Sequence, residues 1–310
     1  MAIQWYPGHM TKARRAIAEA VPTCDVVIEV LDARMPRSSE NPVLSEIRGQ
    51  KPCLKVLSKS DLADSSLTEE WLRALEVPAG PRVAQVLAIA ISTKRNHETF
   101  TRVPAFCNRL ATRPNLEKRP VRALVVGIPN VGKSTLVNTL MGRKVAEVGD
   151  EPAVTKSVQR VILKSGVVIS DVPGILWPKI EDEGASLRLA LGGAIPETAI
   201  EYETIALFAC EFLLERYPDL VSKRYKIESL PSTPHELLVE IGKRRGALRG
   251  GGKVDLHKAS DVLVHDFRSG ALGRITLEKP ADFVSQSEPK IEKAPESERF
   301  VRDLMDDGEQ

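Results

Sequence analysis

One stretch constrains the fold more than any other. Gly127-Ile128-Pro129-Asn130-Val131-Gly132-Lys133-Ser134 fits G-x-x-x-x-G-K-[ST], directly after the apolar run Val121 to Val126 and ahead of a helical run, Thr135 to Met141. A strand, a glycine-rich loop and a helix in that order set backbone N–H groups around phosphate oxygens at a helix N-terminus. The pattern therefore assigns Asn130, Val131, Gly132, Lys133, Ser134 and Thr135 to the phosphates of a nucleotide. The Lys133 ammonium is expected against the β and γ phosphates, and the Ser134 hydroxyl on Mg²⁺.

Short β-rich runs recur on both sides of this loop: Val26 to Leu31, Cys53 to Leu57, Val86 to Ile91, Val121 to Val126, Val158 to Leu163 and Val167 to Ile169. Several are nearly continuous in apolar residues rather than alternating, as strands covered on both faces are. The spacing predicts an α/β, doubly wound, mostly parallel sheet that ends near Trp177. From about residue 183 the pattern turns helical, with Ile205, Phe208 and Phe212 at helical spacing on one face. Thr233, Pro234 and Glu236 mark a helix start with a capping box, and Gly246 a stop. The division expected is 1–178 for the nucleotide domain, 179–277 for a smaller, mainly helical domain, and 278–310 for a charged tail without order. Residues 281–310 carry nine acidic and four basic side chains, so a net charge of +2 conceals about +7 on the rest. No apolar run reaches the roughly 18 to 20 residues of a membrane helix, and Met1 to Met10 does not read as a secretion signal, so a cytoplasmic protein is expected. Cys24, Cys53, Cys107 and Cys210 lie far apart and are expected as buried free thiols rather than a zinc or redox site.

Three further elements bear on the nucleotide. Asp171-Val172-Pro173-Gly174 ends the strand Val167 to Ile169; Asp171 would hold Mg²⁺ and the Gly174 N–H would sense the γ-phosphate. Thr155 lies between this element and the glycine-rich loop, as a switch threonine for Mg²⁺ and γ-phosphate or as an ordinary loop residue. Ser58-Lys59-Ser60-Asp61 follows the strand Cys53 to Leu57. There the Asp61 carboxylate can accept from N1–H and the 2-amino group of guanine, donors adenine lacks, and the Lys59 stem can lie along the purine face. That favours GTP over ATP. Ser92 and Thr93, after the strand Val86 to Ile91, can offer a backbone N–H to guanine O6.

The base-reading pair thus precedes the glycine-rich loop instead of following D-x-x-G, an order that looks like a circular permutation. With Trp5-Tyr6-Pro7-Gly8-His9-Met10 at the start, and Asp32-Ala33-Arg34-Met35-Pro36 followed by Asn41-Pro42, the chain from residue 2 to about 277 closely resembles the ribosome-biogenesis GTPases of the YlqF/RbgA type. The resemblance implies a cytoplasmic GTPase that binds GTP and GDP with Mg²⁺ and acts on a late precursor of the large ribosomal subunit. It also implies a C-terminal helical domain that contacts ribosomal RNA. Ser58 stands where the family has asparagine, Val172 replaces threonine and Ala153 replaces glycine; the first predicts a lost brace between the nucleotide loops. Ile175 occupies the position of a water-orienting glutamine. His9 is the candidate to supply that function, with a structural or RNA-contacting role the alternative. The resemblance makes Asn130 a candidate K⁺ ligand.

Lys243, Arg244, Arg245, Arg249 and Lys253, interleaved with Gly246 and Gly250 to Gly252, form a flexible cationic segment suited to an RNA backbone, to which Lys12, Arg14 and Arg15 add charge. A solvated helix end is the plain alternative. The expected protein is a monomeric, subunit-stimulated GTPase. A nucleotide-responsive RNA scaffold with little hydrolysis is the rival, and a metabolic kinase lacks an evident acceptor site.

Overall fold

A computed structural model of the chain describes residues 3–4, 8–80, 83–92, 96–112, 119–142, 159–163, 165–171, 176, 179–180, 182–195 and 201–286. The elements run β1 (Ile3–Gln4), α1 (Gly8–Ala20), β2 (Val26–Asp32), α2 (Pro42–Arg48), β3 (Cys53–Ser58), α3 (Ser65–Leu75), β4 (Val86–Ala90), α4 (Asn96–Leu110), β5 (Arg122–Val126) and α5 (Lys133–Met141). There follow β6 (Gln159–Ile162), β7 (Val168–Asp171), β8 (Lys179–Ile180), α6 (Glu183–Leu191), α7 (Tyr202–Arg216), α8 (Pro218–Tyr225), α9 (Pro234–Arg244) and α10 (Leu256–Ser269). Met1–Glu278 is one compact unit and Lys279–Gln310 another.

Each of the six apolar runs forms a strand of one sheet, in the order β4-β3-β2-β5-β7-β6. Five are parallel and β6 alone runs antiparallel, against β7. All seven residues of β2 are buried, which is why its sequence does not alternate. Side chains of successive strand residues still point to opposite faces. Val27, Leu124 and Val126 pack with Ala13 and Ile17 of α1 and Leu44 of α2, whereas Val26, Ile28, Val30, Ala123 and Val125 join the larger core on the other face. A short antiparallel pair, β1 with β8, lies outside this sheet.

From Glu183 every described α or β element is helical, and α7 packs against α9 and α10. The buried face of α7 is Ile205, Ala206, Ala209, Cys210 and Leu213; Phe208 and Phe212, expected on that face, are half-buried at its flank. Small side chains at Ala206, Ala209 and Cys210 make close helix approach possible, so the bulky rings are displaced to the edge. The α9 start follows its sequence, with the Thr233 side chain accepting from Glu236 N–H. The helix ends at Arg244, and Gly246 follows with φ +70°.

After α10 the chain returns as an extended strap over residues 272–278. Ile275 N–H donates to Leu62 O (3.0 Å) and Leu277 N–H to Arg34 O (2.7 Å). The Thr276 hydroxyl accepts from Asp64 N–H (3.0 Å), and the Glu278 carbonyl from Trp71 Nε1–H (3.0 Å). The buried Glu278 carboxylate accepts from Arg37 N–H and Ser38 N–H, fastening the loop that follows β2. In the second unit, residues 280–286, at the start of the segment expected to lack order, form a 3₁₀ turn in which Asp282 N–H donates to Lys279 O. All four cysteines are free and buried, and burial pushes the thiols of Cys53, Cys107 and Cys210 up to about 12.

Candidate functional site

Parallel strands bring their carboxyl ends to one edge of the sheet, where open α/β folds place their ligands. Here β2, β3 and β5 deliver Asp32, Ser58 and Gly127 to that edge. Asp32 and Ser58 are register partners. Gly127 lies over β2: a Cβ there would stand 2.6 Å from Val30 O, at a φ of +149° that side chains rarely adopt. The approach of loop to strand thus requires glycine. Gly132, with φ +98°, caps the N-terminus of α5, and Lys133 opens the helix. The Lys133 side chain is buried and its ammonium donates to Ile128 O (2.8 Å), curling it over the loop. Ser134 and Thr135 occupy the first turn, half-buried, with their backbone N–H groups at the positive end of the helix.

The turn after β3 is fastened to this loop. Ser58 Oγ lies within hydrogen-bond reach of Leu31 O (2.9 Å) and donates to Val131 O. The brace expected to disappear with the family's asparagine is therefore made by a hydroxyl, because Ser58 stands directly beside Gly132, where no side chain intervenes. Lys59 and Asn130 both adopt left-handed backbone conformations, at φ +54° and +57°. Their strain is offset by a direct link: Lys59 Nζ donates to Asn130 O (2.7 Å) and to Asp32 Oδ2 (2.8 Å). Ser60 N–H and Oγ both donate to Ile91 O, which sets the turn that carries half-buried Asp61 next to Ser92. The Asn130 amide donates through Nδ2 to Gly193 O (2.8 Å), so the loop also touches the turn after α6.

Asp171 closes β7 and pairs in register with Val125 of β5, one residue before the end of that strand. This backbone placement sets it beside the glycine-rich loop; its side chain lies outside the described residues. His9 falls in the first turn of α1, its side chain likewise outside. Thr93, Thr155, Gly174, Val172, Ala153 and Ile175 lie outside the described residues altogether.

Sequence reasoning missed Asp32 and Arg34 as site residues. Their signal was present: two charged residues at the end of a mostly apolar, wholly buried strand, within the Asp32-Ala33-Arg34-Met35-Pro36 motif that carries the resemblance. It also missed the internal pairing of the cationic segment. Arg244 pairs with Glu240 (2.9 Å), Arg249 with Asp255 (3.0 Å), and Arg245 with Asp266 (3.3 Å), stacking over Tyr225 as well. Arg249 holds the Asp255 carboxyl at about 2. The glycine run is a closed turn, with Arg249 N–H donating to Lys253 O, rather than an open flexible arm. Lys243 and Lys253 are the exposed lysines of the group.

A glycine-rich loop cross-braced to a base-reading turn that comes earlier in the chain defines a circularly permuted P-loop GTPase. A family model described as "50S ribosome-binding GTPase" matches residues 122–214. The "Ribosome biogenesis GTPase A" of Bacillus cereus is 40% identical over 295 residues, 93% of this chain and 97% of that protein. Among solved structures, the GDP-bound structure of TM YlqF has a TM-score of 0.62 at 26% identity, covering 86% of this chain and 100% of that one. GNP-bound YlqF from T. maritima has a TM-score of 0.59 at 28% identity, covering 87% and 98%. The chain belongs to the ribosome biogenesis GTPase A family.

Proposed function

We propose that this chain binds GTP and hydrolyses it to GDP and phosphate while acting as a nucleotide-dependent assembly factor on the large ribosomal subunit. The observation that carries it is the cross-brace: Ser58 and Lys59 of the guanine-reading turn bond the carbonyls of Val131 and Asn130 in the phosphate loop. A base bound at Asp61 and phosphates bound at Lys133 then belong to one rigid site, with Ser92 and Thr93 supplying a donor toward guanine O6. The donor set suits Mg²⁺, with the Ser134 hydroxyl, Thr155 and Asp171 as its holders; when bound, the ion neutralises the charge that develops on the phosphates. The backbone N–H groups of Asn130 to Thr135 and the Lys133 ammonium orient the phosphates, and the Gly174 N–H marks the γ-phosphate.

Ile175 cannot orient water, so His9 is assigned that role. Asn130 is assigned to K⁺, a positive charge near the phosphates where other GTPases use an arginine. Functionally the chain divides at 178/179. Residues 179–277 form the ribosome-facing part, with the exposed Lys243, Arg244, Arg245, Arg249 and Lys253 against RNA phosphates. The protein works as a cytoplasmic monomer.

The test is phosphate release from GTP and ATP, in KCl and in NaCl at equal ionic strength, with and without purified large subunits. The expected result is guanine-specific turnover, accelerated by the subunit and faster in KCl, that His9→Ala depresses without changing GTP affinity. Binding without turnover, even on subunits, would instead make the chain a nucleotide-responsive scaffold.

A further inference from the structure

Asp32 and Arg34 have no part in the chemistry above, yet they form the most deeply buried charged pair at the site. Asp32 is fully buried and Arg34 is 1% exposed. Asp32 Oδ1 accepts from Arg34 N–H and Nε–H, both at 3.0 Å; Oδ2 accepts from Arg34 Nη2 (2.9 Å) and Lys59 Nζ (2.8 Å). Arg34 is itself fixed from α10: Nη1 donates to Phe267 O (3.1 Å), and the guanidinium lies 4.6 Å from the Phe267 ring centroid. Burial opposes ionisation of Asp32, but the Arg34 guanidinium and the Lys59 ammonium hold its carboxyl well below the usual range. One carboxylate therefore stands between two cations, only one of which reaches the nucleotide loops.

A lysine is a compact charge on a flexible stem and loses rotamer freedom when it is held. Lys59 is held at its tip by two acceptors, Asp32 Oδ2 and Asn130 O, so its stem can run only one way between them. We propose that Asp32 is a positioning residue for nucleotide recognition: it fixes Lys59 so that the lysine stem presents a set face to the purine, and Arg34 fixes Asp32. The inference rests on the GTP-binding function proposed above and adds a residue to it. Its specificity consequence is distinct from that of Asp61. The stem meets the purine face, which guanine and hypoxanthine share, whereas Asp61 meets the edge, where they differ by the 2-amino group. Loss of Asp32 should therefore weaken both nucleotides by the same factor.

The test is titration of the full chain with ribose-labelled fluorescent GDP and IDP, for the unmodified protein, Asp32→Asn, Lys59→Met and the double variant. Asp32→Asn should raise both dissociation constants about tenfold, the loss of one charge-assisted hydrogen bond. In the Lys59→Met background it should raise them no further, because Asp32 acts through that lysine. Asp32→Asn leaves Arg34 buried without its partner and invites misfolding. Asp32→Asn with Arg34→Met removes both buried charges together, keeps the fold and still takes the carboxylate away from Lys59; it should show the same tenfold loss. Unchanged GDP affinity in a folded Asp32 variant, unequal losses for GDP and IDP, or a full loss that persists without Lys59 each overturns the inference alone. Failure of the unmodified protein to bind either nucleotide overturns the functional proposal and this inference with it.

Discussion

Replacing Glu29 by glutamine should flatten the pH dependence of folding between about pH 5 and 7. Glu29 lies midway along β2, fully enclosed, with Lys55 of β3 as its register partner. The Lys55 ammonium bonds Glu40 instead, and Glu29 Oε1 has no hydrogen-bond partner. Burial first, then repulsion from Glu40, lifts the Glu29 carboxyl from 4.5 to about 7, against the pull of Lys55 and Arg48. The folded protein thus holds a proton that the unfolded chain releases near pH 4.5, and stability falls as pH rises through that interval. At about 1.4 kcal/mol per pKa unit the whole loss is about 3 kcal/mol. Neighbouring groups act elsewhere. Burial opposes the charge on Glu40, but Lys55 and then Arg37 hold its carboxyl below the ordinary value, so its contribution is lost only in more acid solution. Lys55 is raised above 10.5 and titrates in alkali. Glu278, also raised by burial, is common to both proteins and cancels in the difference. Urea unfolding followed by tryptophan fluorescence, with buried Trp71 as a reporter, should show Glu29→Gln gaining about 3 kcal/mol relative to the parent between pH 5 and pH 8. Parallel stability curves for the two proteins would refute the assignment.

Three further outcomes are expected. Ser58→Ala leaves Val131 O without its hydroxyl donor and should weaken GDP binding about tenfold and lower the melting temperature by a few degrees; isothermal titration calorimetry checks the affinity, and an unaltered value would show the brace to be dispensable. Gly127→Ala drives a Cβ toward Val30 O at 2.6 Å and should destabilise the fold by about 2–4 kcal/mol. Coincident urea transitions for parent and variant would contradict that contact. Lys243→Glu with Lys253→Glu should weaken ribosomal RNA binding and flatten its salt dependence, because both lysines are exposed and reversing them changes the charge of the segment without breaking the ion pairs of Arg244, Arg245 and Arg249. Filter binding across a salt series measures both, and an unchanged slope would move the RNA contact off this segment.

The strands were legible because the sheet is mostly parallel and covered on both faces, so β2, β3 and β5 read as nearly continuous apolar runs, interrupted only by Glu29, Lys55 and Arg122 ahead of the polar residues at the strand ends. The phosphate loop was legible for a different reason: its glycines and lysine stand at fixed spacing within eight consecutive residues, even though the strand that Gly127 approaches lies far away in the chain. What sequence could not give was partnership across long separations. The link from Ser58 to Val131 spans 73 residues and that from Arg34 to Phe267 spans 233, distances at which no periodicity operates. For the same reason Ser58 was read as a deficit. A missing asparagine is visible in one dimension, whereas a hydroxyl seated beside Gly132 is visible only in three. In the cationic segment, Glu240 lies one helical turn before Arg244 and Asp255 only six residues after Arg249, so those partners were within reach of local sequence; Asp266, which pairs with Arg245 from α10, was not.

The strap at 272–278 gives this protein an order of completion during synthesis. The turn after Asp61 receives backbone and hydroxyl partners from Ile275 and Thr276, and the loop after Asp32 is clamped by Leu277 and Glu278. A nascent chain emerging from its N-terminus can lay down β2, β3 and β4 early, but these partners do not exist until some two hundred residues later. The guanine-reading half is translated first and finished last. A chain released before residue 272 would carry every nucleotide motif and still lack the fastening that holds two of its loops.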